Sequence, residues 1–192
     1  LKGNTNAPAL QRFRSLPGLI EGYSTLRTGD HMNFCDELSK FTQDGIRSFY
    51  ATLTIKADVS LMKELHAVWV EVLKPLRPLK GMIFSFGYFP LTKALLTNSK
   101  KAGDNAKSID PADGPLFVIL LNPTWDLPEN DEQVYSEVEE LLRRFRKIAG
   151  DKGLLHRYIF TNYGYHKDDV LAGYGKESIQ KMREVSKKYD PE

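Results

Sequence analysis

A single cysteine, Cys35, is present among the 192 residues, so the chain forms no internal disulfide and cysteine usage does not identify its compartment. With no cluster of histidine and acid near it in sequence, that thiol reads as a small buried hydrophobe rather than a nucleophile. No apolar run approaches the roughly 18 residues that a membrane span requires. No signal peptide is recognisable. Because the chain begins at Leu1 rather than methionine, an upstream segment is expected to have been removed. Charge of one sign is scarce as well. Lys and Arg total 27 against 25 for Asp and Glu, a net +2, without the concentrated positive charge of a nucleic-acid surface. The local basic runs, Arg143-Arg144-Phe145-Arg146-Lys147 and Lys187-Lys188, fall at helix ends, where solvated faces account for them. Chemical signatures are missing too: no G-x-G-x-x-G, no Walker-type glycine loop, no C-x-x-C and no H-E-x-x-H. The histidines (His31, His66, His156 and His166) are dispersed without a nearby Cys or spaced acid, so no metal site is expected.

What remains is the composition of an ordinary globular protein, 41% hydrophobic and 27% charged. A domain of this length buries roughly 70% of its unfolded surface without a covalent staple. Scattered Gly, Pro, Asn and Thr mark residues 1–45 as an N-terminal arm or connector, with one short helix over 33–41. From 46 to 192 the pattern becomes regular. A strand is expected over 49–55, where Phe49, Ala51, Leu53 and Ile55 alternate with Tyr50, Thr52 and Thr54. Leu61, Leu65, Val68 and Val72 recur at helical spacing, capped by Asp58 or Ser60 and ended by Pro75 and Pro78. A strand over 82–89 closed by Pro90, a short helix over 91–97, a turn-rich loop over 100–115 and a wholly apolar strand over 116–121 follow. Val134, Val138, Leu141, Leu142, Phe145 and Ile148 line the clearest amphipathic helix, stopped by Gly150 and Gly153. A last strand over 158–163 precedes a final helix with Ile179, Met182 and Val185 on one face.

This order predicts an α+β fold: two βαβ units forming a mainly antiparallel sheet with helices on one face, in a ferredoxin-like arrangement. Phe49, Ala51, Leu53 and Ile55 suit the helix layer, and His156, Tyr158, Phe160 and Asn162 share one side of the last strand. The middle strands are apolar on both faces, with Phe84 and Phe86 opposing Ile83, and Phe117 and Ile119 opposing Val118 and Leu120. A sheet with one solvated face alternates polar and apolar residues. A second cover is therefore expected: another domain, a twin subunit, a bound planar ligand, or the N-terminal arm folded back. The aromatic stretch 81–88 carries no charge, so it reads as core rather than as an RNA-binding strand.

The C-terminal motifs are more specific. They run His156-Arg157-Tyr158-Ile159-Phe160-Thr161-Asn162-Tyr163, then Tyr174-Gly175, Ile179 and Val185-Ser186-Lys187-Lys188-Tyr189-Asp190-Pro191. This series resembles the C-terminal signature of berberine-bridge-enzyme-like, FAD-linked oxidases of the vanillyl-alcohol-oxidase superfamily, fungal type. In that family a strand ending Tyr-x-Asn-Tyr precedes Tyr-Gly, an apolar-patterned helix and Lys-x-Lys-Tyr-Asp-Pro. The loop Ala102-Gly103-Asp104-Asn105 looks like a Gly-Gly-Asn loop of fungal members, and Asp110-Pro111-Ala112-Asp113-Gly114-Pro115 before an apolar strand fits as well. The resemblance covers roughly residues 45–191.

The resemblance implies that 46–192 is a substrate-binding domain whose sheet lies over the flavin ring. An N-terminal FAD-binding domain of the same protein would then hold the cofactor and any covalent tether. It implies FAD, a small-molecule substrate (alcohol, amine or sugar), hydride transfer to FAD and reoxidation by oxygen, with neither nucleic acid nor membrane as partner. Relatives of this kind are often secreted. Asn162 matches the family's Asn, whose amide can hydrogen-bond the flavin region. Tyr163 matches the second Tyr, which assists proton removal near the substrate, and its other reading is a half-buried strand-end aromatic. A phenol, with an ordinary pKa of about 10, needs a neighbouring cation or a shifted pKa for that work. Phe160 takes the first Tyr position without a hydroxyl, as a shape-defining wall, and Tyr158 and Tyr50 complete the candidate substrate pocket. Asp104 in place of Gly is a second departure. Tyr189-Asp190-Pro191 turns the chain, and the short strand that usually follows Asp-Pro lies beyond Glu192. The runner-up is a non-enzymatic ferredoxin-like module that binds an apolar ligand or dimerises through its second face. The chain purified alone is expected to show no visible flavin absorbance and no turnover. A yellow protein would contradict the first reading, and a defined dimer in size exclusion would support the second.

Overall fold

The computed structural model describes residues 7–20, 27–40, 44–103 and 106–191. Phe41, Asp104 and Asn105, which carry some of the expectations above, lie outside the described residues. The chain divides into two units, Leu1–Gly45 and Ile46–Glu192, each described by itself. The first holds a 3-10 turn at Pro8–Leu10 and two helices, α1 (Gln11–Arg14) and α2 (His31–Ser39). The expected helix over 33–41 thus starts two residues earlier, because Asp30 caps it: the Asn33 N–H donates to Asp30 Oδ1 at 2.8 Å. Cys35 on this helix is exposed, which corrects the buried reading. Met32, Phe34 and Leu38 beside it are exposed too, so among the described residues of this unit no core forms around α2 to enclose a thiol.

In the second unit, β1 (Arg47–Ser48) and β2 (Ala51–Lys56) lead into α3 (Val59–Leu76), β3 (Ile83–Leu91) and α4 (Lys93–Lys101). Next come β4 (Leu116–Trp125), α5 (Asp131–Asp151), β5 (Leu155–His156) and α6 (Lys176–Tyr189). All strand pairs are antiparallel. β3 lies along one edge of β4, β1 and β2 share the other edge, and β5 lies outside β2. Each βαβ unit thus leaves a gap filled by a strand of the other, which is the ferredoxin-like interleaving of an α+β fold. No described helix is long and apolar enough to cross a membrane.

Local chemistry sets the element ends. The Leu61 N–H donates to Asp58 Oδ1 at 2.7 Å, which starts α3. The helix passes through Pro75 rather than stopping there, because in its last turn only one backbone bond is forfeited, and the Arg77 N–H closes on Leu73 O. β3 likewise runs through Pro90 to Leu91, since an edge strand tolerates a residue without N–H. The single strand expected over 49–55 is broken at Phe49 and Tyr50, beside Pro123 of β4, which has no N–H to donate. There the Asn122 side chain donates instead to Phe49 O at 2.9 Å and to Ser48 Oγ at 3.0 Å.

One face of the sheet is closed by α3 and α5. Ala51, Leu53 and Ile55 of β2 and Ile119, Leu121 and Trp125 of β4 pack against Leu61, Leu65, Val68, Val72, Val138, Leu141 and Phe145. Each fully buried aliphatic or Phe side chain contributes about 1.5–3 kcal/mol. The basic run on α5 is largely paired: Arg143 with Glu140, Arg144 with Glu71, Arg146 with Asp168 and Lys147 with Asp151. Phe145→Ala, at a side chain with no exposed surface, is expected to cost about 3–5 kcal/mol, and Asp58→Ala about 1 kcal/mol. Chemical denaturation checks both, and an undiminished midpoint for Phe145→Ala would contradict the packing described.

Candidate functional site

The opposite face is where the sequence left a cover unexplained. Register places Phe89, Val118, Thr54 and His156 in one row across the sheet, and Gly87, Leu120 and Thr52 in the next. Thr52 and Thr54 are fully buried. The Thr52 hydroxyl donates to Ile119 O at 2.6 Å, while Thr54 Oγ1 has no partner among the described residues. Part of this face is covered by the unit itself. Leu116 and Val118 pack under Leu96, Ile109, Tyr158 and Tyr174, with Leu91, Phe160 and Met182 around them. The rest stays open within the unit: Ile83 is 63% exposed, Tyr50 44% and Phe89 43%.

The covering segment is not the strand expected over 158–163. The chain leaves the sheet after His156, and Thr161–Tyr163 forms a 3-10 turn. Turn bonds replace ladder bonds at this point. The Tyr158 N–H donates to His156 Nδ1 at 3.2 Å rather than to β2. The Arg157 guanidinium donates to the carbonyls of Ser108 and Gly173, tying the 106–110 loop and the 171–175 turn to the segment. Gly173 is required there, because an added Cβ would lie 2.4 Å from Arg157 O. The hydroxyls of Thr161 and Tyr174 are bonded to each other. His156, Tyr158, Phe160 and Asn162 therefore do not share one side of a strand.

The residues singled out from the sequence are brought together in part. Tyr163 lies with its ring centroid 4.9 Å from that of Tyr50, 5.1 Å from Phe160 and 5.9 Å from Phe89. Asn162, on the same turn, is exposed. Tyr158 differs: it is 2% exposed, and burial pushes its phenol pKa up to about 12. It is part of the cover rather than of an accessible wall. Lys107 Nζ stands 5.5 Å from the Phe160 ring and 5.8 Å from that of Tyr158, a cation over aromatic faces. Sequence reading missed Phe89, although its parity against Phe84, Phe86 and Tyr88 already put it on the open face. It also missed the roles of Arg157, whose bonds to loops far away in sequence have no local signal, and of His156, which accepts the Tyr158 N–H.

Cavity and chemistry do not coincide. A groove of about 590 Å³ is lined by Gly103, Ser108, Glu177, Lys181, Met182 and Val185 among others, and by none of the clustered aromatics. Glu177, Lys181 and Val185 are exposed and the groove is open, so nothing in it converges on a ligand. The aromatic cluster is the better site on chemical grounds. Among the described residues, no group of three or more His, Cys, Asp or Glu is placed to hold a metal ion.

No family model matches the chain, and no solved structure does. Curated proteins do. An FAD-dependent monooxygenase, FUP4 of Fusarium proliferatum, is 28% identical over 98% of this chain and 38% of its own length. An FAD-dependent monooxygenase, tpcD of Cochliobolus heterostrophus, is 28% identical over 99% of this chain and 38% of its own length. An oligopeptidase, PhomG' of Diaporthe leptostromiformis, is 25% identical over 97% of this chain but only 15% of its own length. The chain thus spans under two-fifths of the length of each of these two flavoprotein relatives. These fungal likenesses support kinship with flavoproteins.

Gly173→Ala is expected to dislodge the 157–163 segment while leaving the helix-side core folded. Limited proteolysis should cut within 157–163 faster, with far-ultraviolet circular dichroism unchanged, and wild-type resistance would contradict the clamp.

Proposed function

We propose that the Ile46–Glu192 unit is the substrate-side part of a flavin-dependent oxidoreductase of the berberine-bridge-enzyme-like kind. Its open aromatic strip would face the flavin ring, with Asn162 and Tyr163 at the strip's edge. The observation that carries this reading is the meeting of Tyr163 with Tyr50 and Phe89 on the uncovered part of the sheet. The names of the two relatives spanning 38% of their length support it, and they outweigh the peptidase name, which rests on 15%.

The residues fit one part of such a cofactor. A planar apolar ring system needs a flat, partly exposed apolar surface with few polar groups at its rim. Phe89 and Tyr50 beside Tyr163 offer that surface, and the exposed Asn162 amide offers both a donor and an acceptor. β3 carries no charged residue, so the phosphates of a dinucleotide find no counter-charge on that strand and would be held elsewhere in the protein. Hydride acceptance and reaction with oxygen are the chemistry that bound FAD supplies. This chain would orient a small organic substrate against Phe160 and Tyr163, exclude water along the aromatic strip, and offer Tyr163 as a proton acceptor when a neighbouring cation holds its phenol deprotonated.

Full-length protein is expected to carry a visible flavin band. Tyr163→Phe should leave that band in place and lower turnover by about 100-fold or more, whereas Asn162→Ala should weaken flavin retention. Wild-type turnover in Tyr163→Phe would refute the proton-acceptor role. Product analysis under labelled oxygen separates the two reaction types: an oxidase releases peroxide without labelling the product, and a monooxygenase places one labelled oxygen in it.

A further inference from the structure

His156 stands where the sheet ends and the site segment begins. It is the last residue of β5, opposite Thr54, and its side chain is 7% exposed. Its Nδ1 accepts the Tyr158 N–H at 3.2 Å, a local bond across the departure point. An accepting Nδ1 requires the neutral ring, with its proton on Nε2. That nitrogen faces Asp113 Oδ2 at 3.6 Å, an oxygen that already accepts the Asp110 N–H at 2.9 Å. The other charges facing the ring are Arg157 on its own segment and Lys56 on β2, while Thr54 opposite is uncharged.

We infer that His156 is a proton-sensitive latch, in which protonation of Nδ1 breaks the Tyr158 bond and loosens the 157–163 segment that carries Tyr163. The inference rests on the reading of that segment as the site turn, and it gives the site an acid-sensitive regulation. A protonated ring would set two donors, Nδ1–H and the Tyr158 N–H, against each other. Besides this bond the segment is held by the Arg157 guanidinium on the Ser108 and Gly173 carbonyls, the buried Tyr158 ring, the Thr161–Tyr174 hydroxyl pair and the ring contacts of Tyr163. Loss of the latch therefore loosens the segment without unfolding the core.

Two influences compete over the ring. Burial, with Arg157 and Lys56, disfavours the imidazolium, and Asp113 favours it. Burial is the largest, so the folded pKa lies below its ordinary 6.5. A base depressed in the closed state takes up its proton more readily once the segment opens. The latch is thus fully effective above 6.5 and weakens as pH falls below it. Each further pH unit raises opening by up to about tenfold until the depressed value is reached.

Amide hydrogen exchange of the full-length protein, corrected for intrinsic rates, tests this between about pH 7.5 and about pH 5, above the carboxylate range. Peptides covering 157–163 should exchange measurably faster at the lower pH, while peptides from α5 stay unchanged. His156→Asn, whose amide oxygen can accept the Tyr158 N–H without titrating, should abolish the pH dependence. Equal protection of wild-type 157–163 at both pH values overturns the latch, and needs no variant. So does a pH response in His156→Asn matching the wild type. Flavin content at neutral pH reports separately on the site reading, so either idea can fail alone.

Discussion

The central strand β4 presents apolar side chains to both faces of the sheet, and burying both of them shapes most of the Ile46–Glu192 unit. Toward one side Ile119, Leu121 and Trp125 meet the apolar stripes of α3 and α5. Toward the other, Leu116 and Val118 meet no pair of long helices, only Leu96 of α4, Met182 of α6 and irregular segments. Leaving them in water would forfeit about 1.5–3 kcal/mol each. The unit covers them with pieces distant in sequence, chiefly Ile109, Tyr158 and Tyr174. The segment that carries the candidate site is therefore part of a second small core rather than a free loop.

The cluster of Tyr50, Phe89, Phe160 and Tyr163 forms where that cover stops. Aromatic rings with one apolar face and, in tyrosine, a polar tip suit such a boundary. Pro123 contributes indirectly. By interrupting the ladder beside Phe49 and Tyr50, it separates Tyr50 from the regular strand, and the Tyr50 ring meets Tyr163 from there. In the proposed reading, the open strip beyond this boundary takes the flavin ring and the edge of the cover shapes the substrate space. A cover tied down by a few specific bonds, through Arg157, Gly173, Tyr174 and His156, can also be loosened locally.

Much of the fold was legible because its signals are local. The helical spacing of Leu61, Leu65, Val68 and Val72 recurs as the buried stripe of α3, and that of Val134 to Phe145 as the stripe of α5. The double-sided apolarity of residues 116–121 announced a second cover, but the part observed comes from the unit's own Leu96, Ile109, Tyr158 and Tyr174, which was not among the covers expected. The site was legible only in part. Tyr163, Phe160 and Tyr50 meet, but Tyr158 is buried and the strand through 158–163 is absent. An alternating aromatic run satisfies the strand pattern equally well when the chain peels off the sheet, since one buried ring and one side-chain acceptor are enough to divert it.

The sequence by itself determined the α+β order, the helix-side core and the apolar surplus on the central strands, because these follow from periodicity, caps and side-chain volume within short windows. Only the tertiary structure decided what covers the second face and where the cover ends. Those outcomes depend on Arg157 reaching Ser108 and Gly173, on Tyr163 reaching Tyr50, and on His156 accepting from Tyr158 at a two-residue strand. Most of these contacts join residues far apart in the chain, and none leaves a period for a sequence to display.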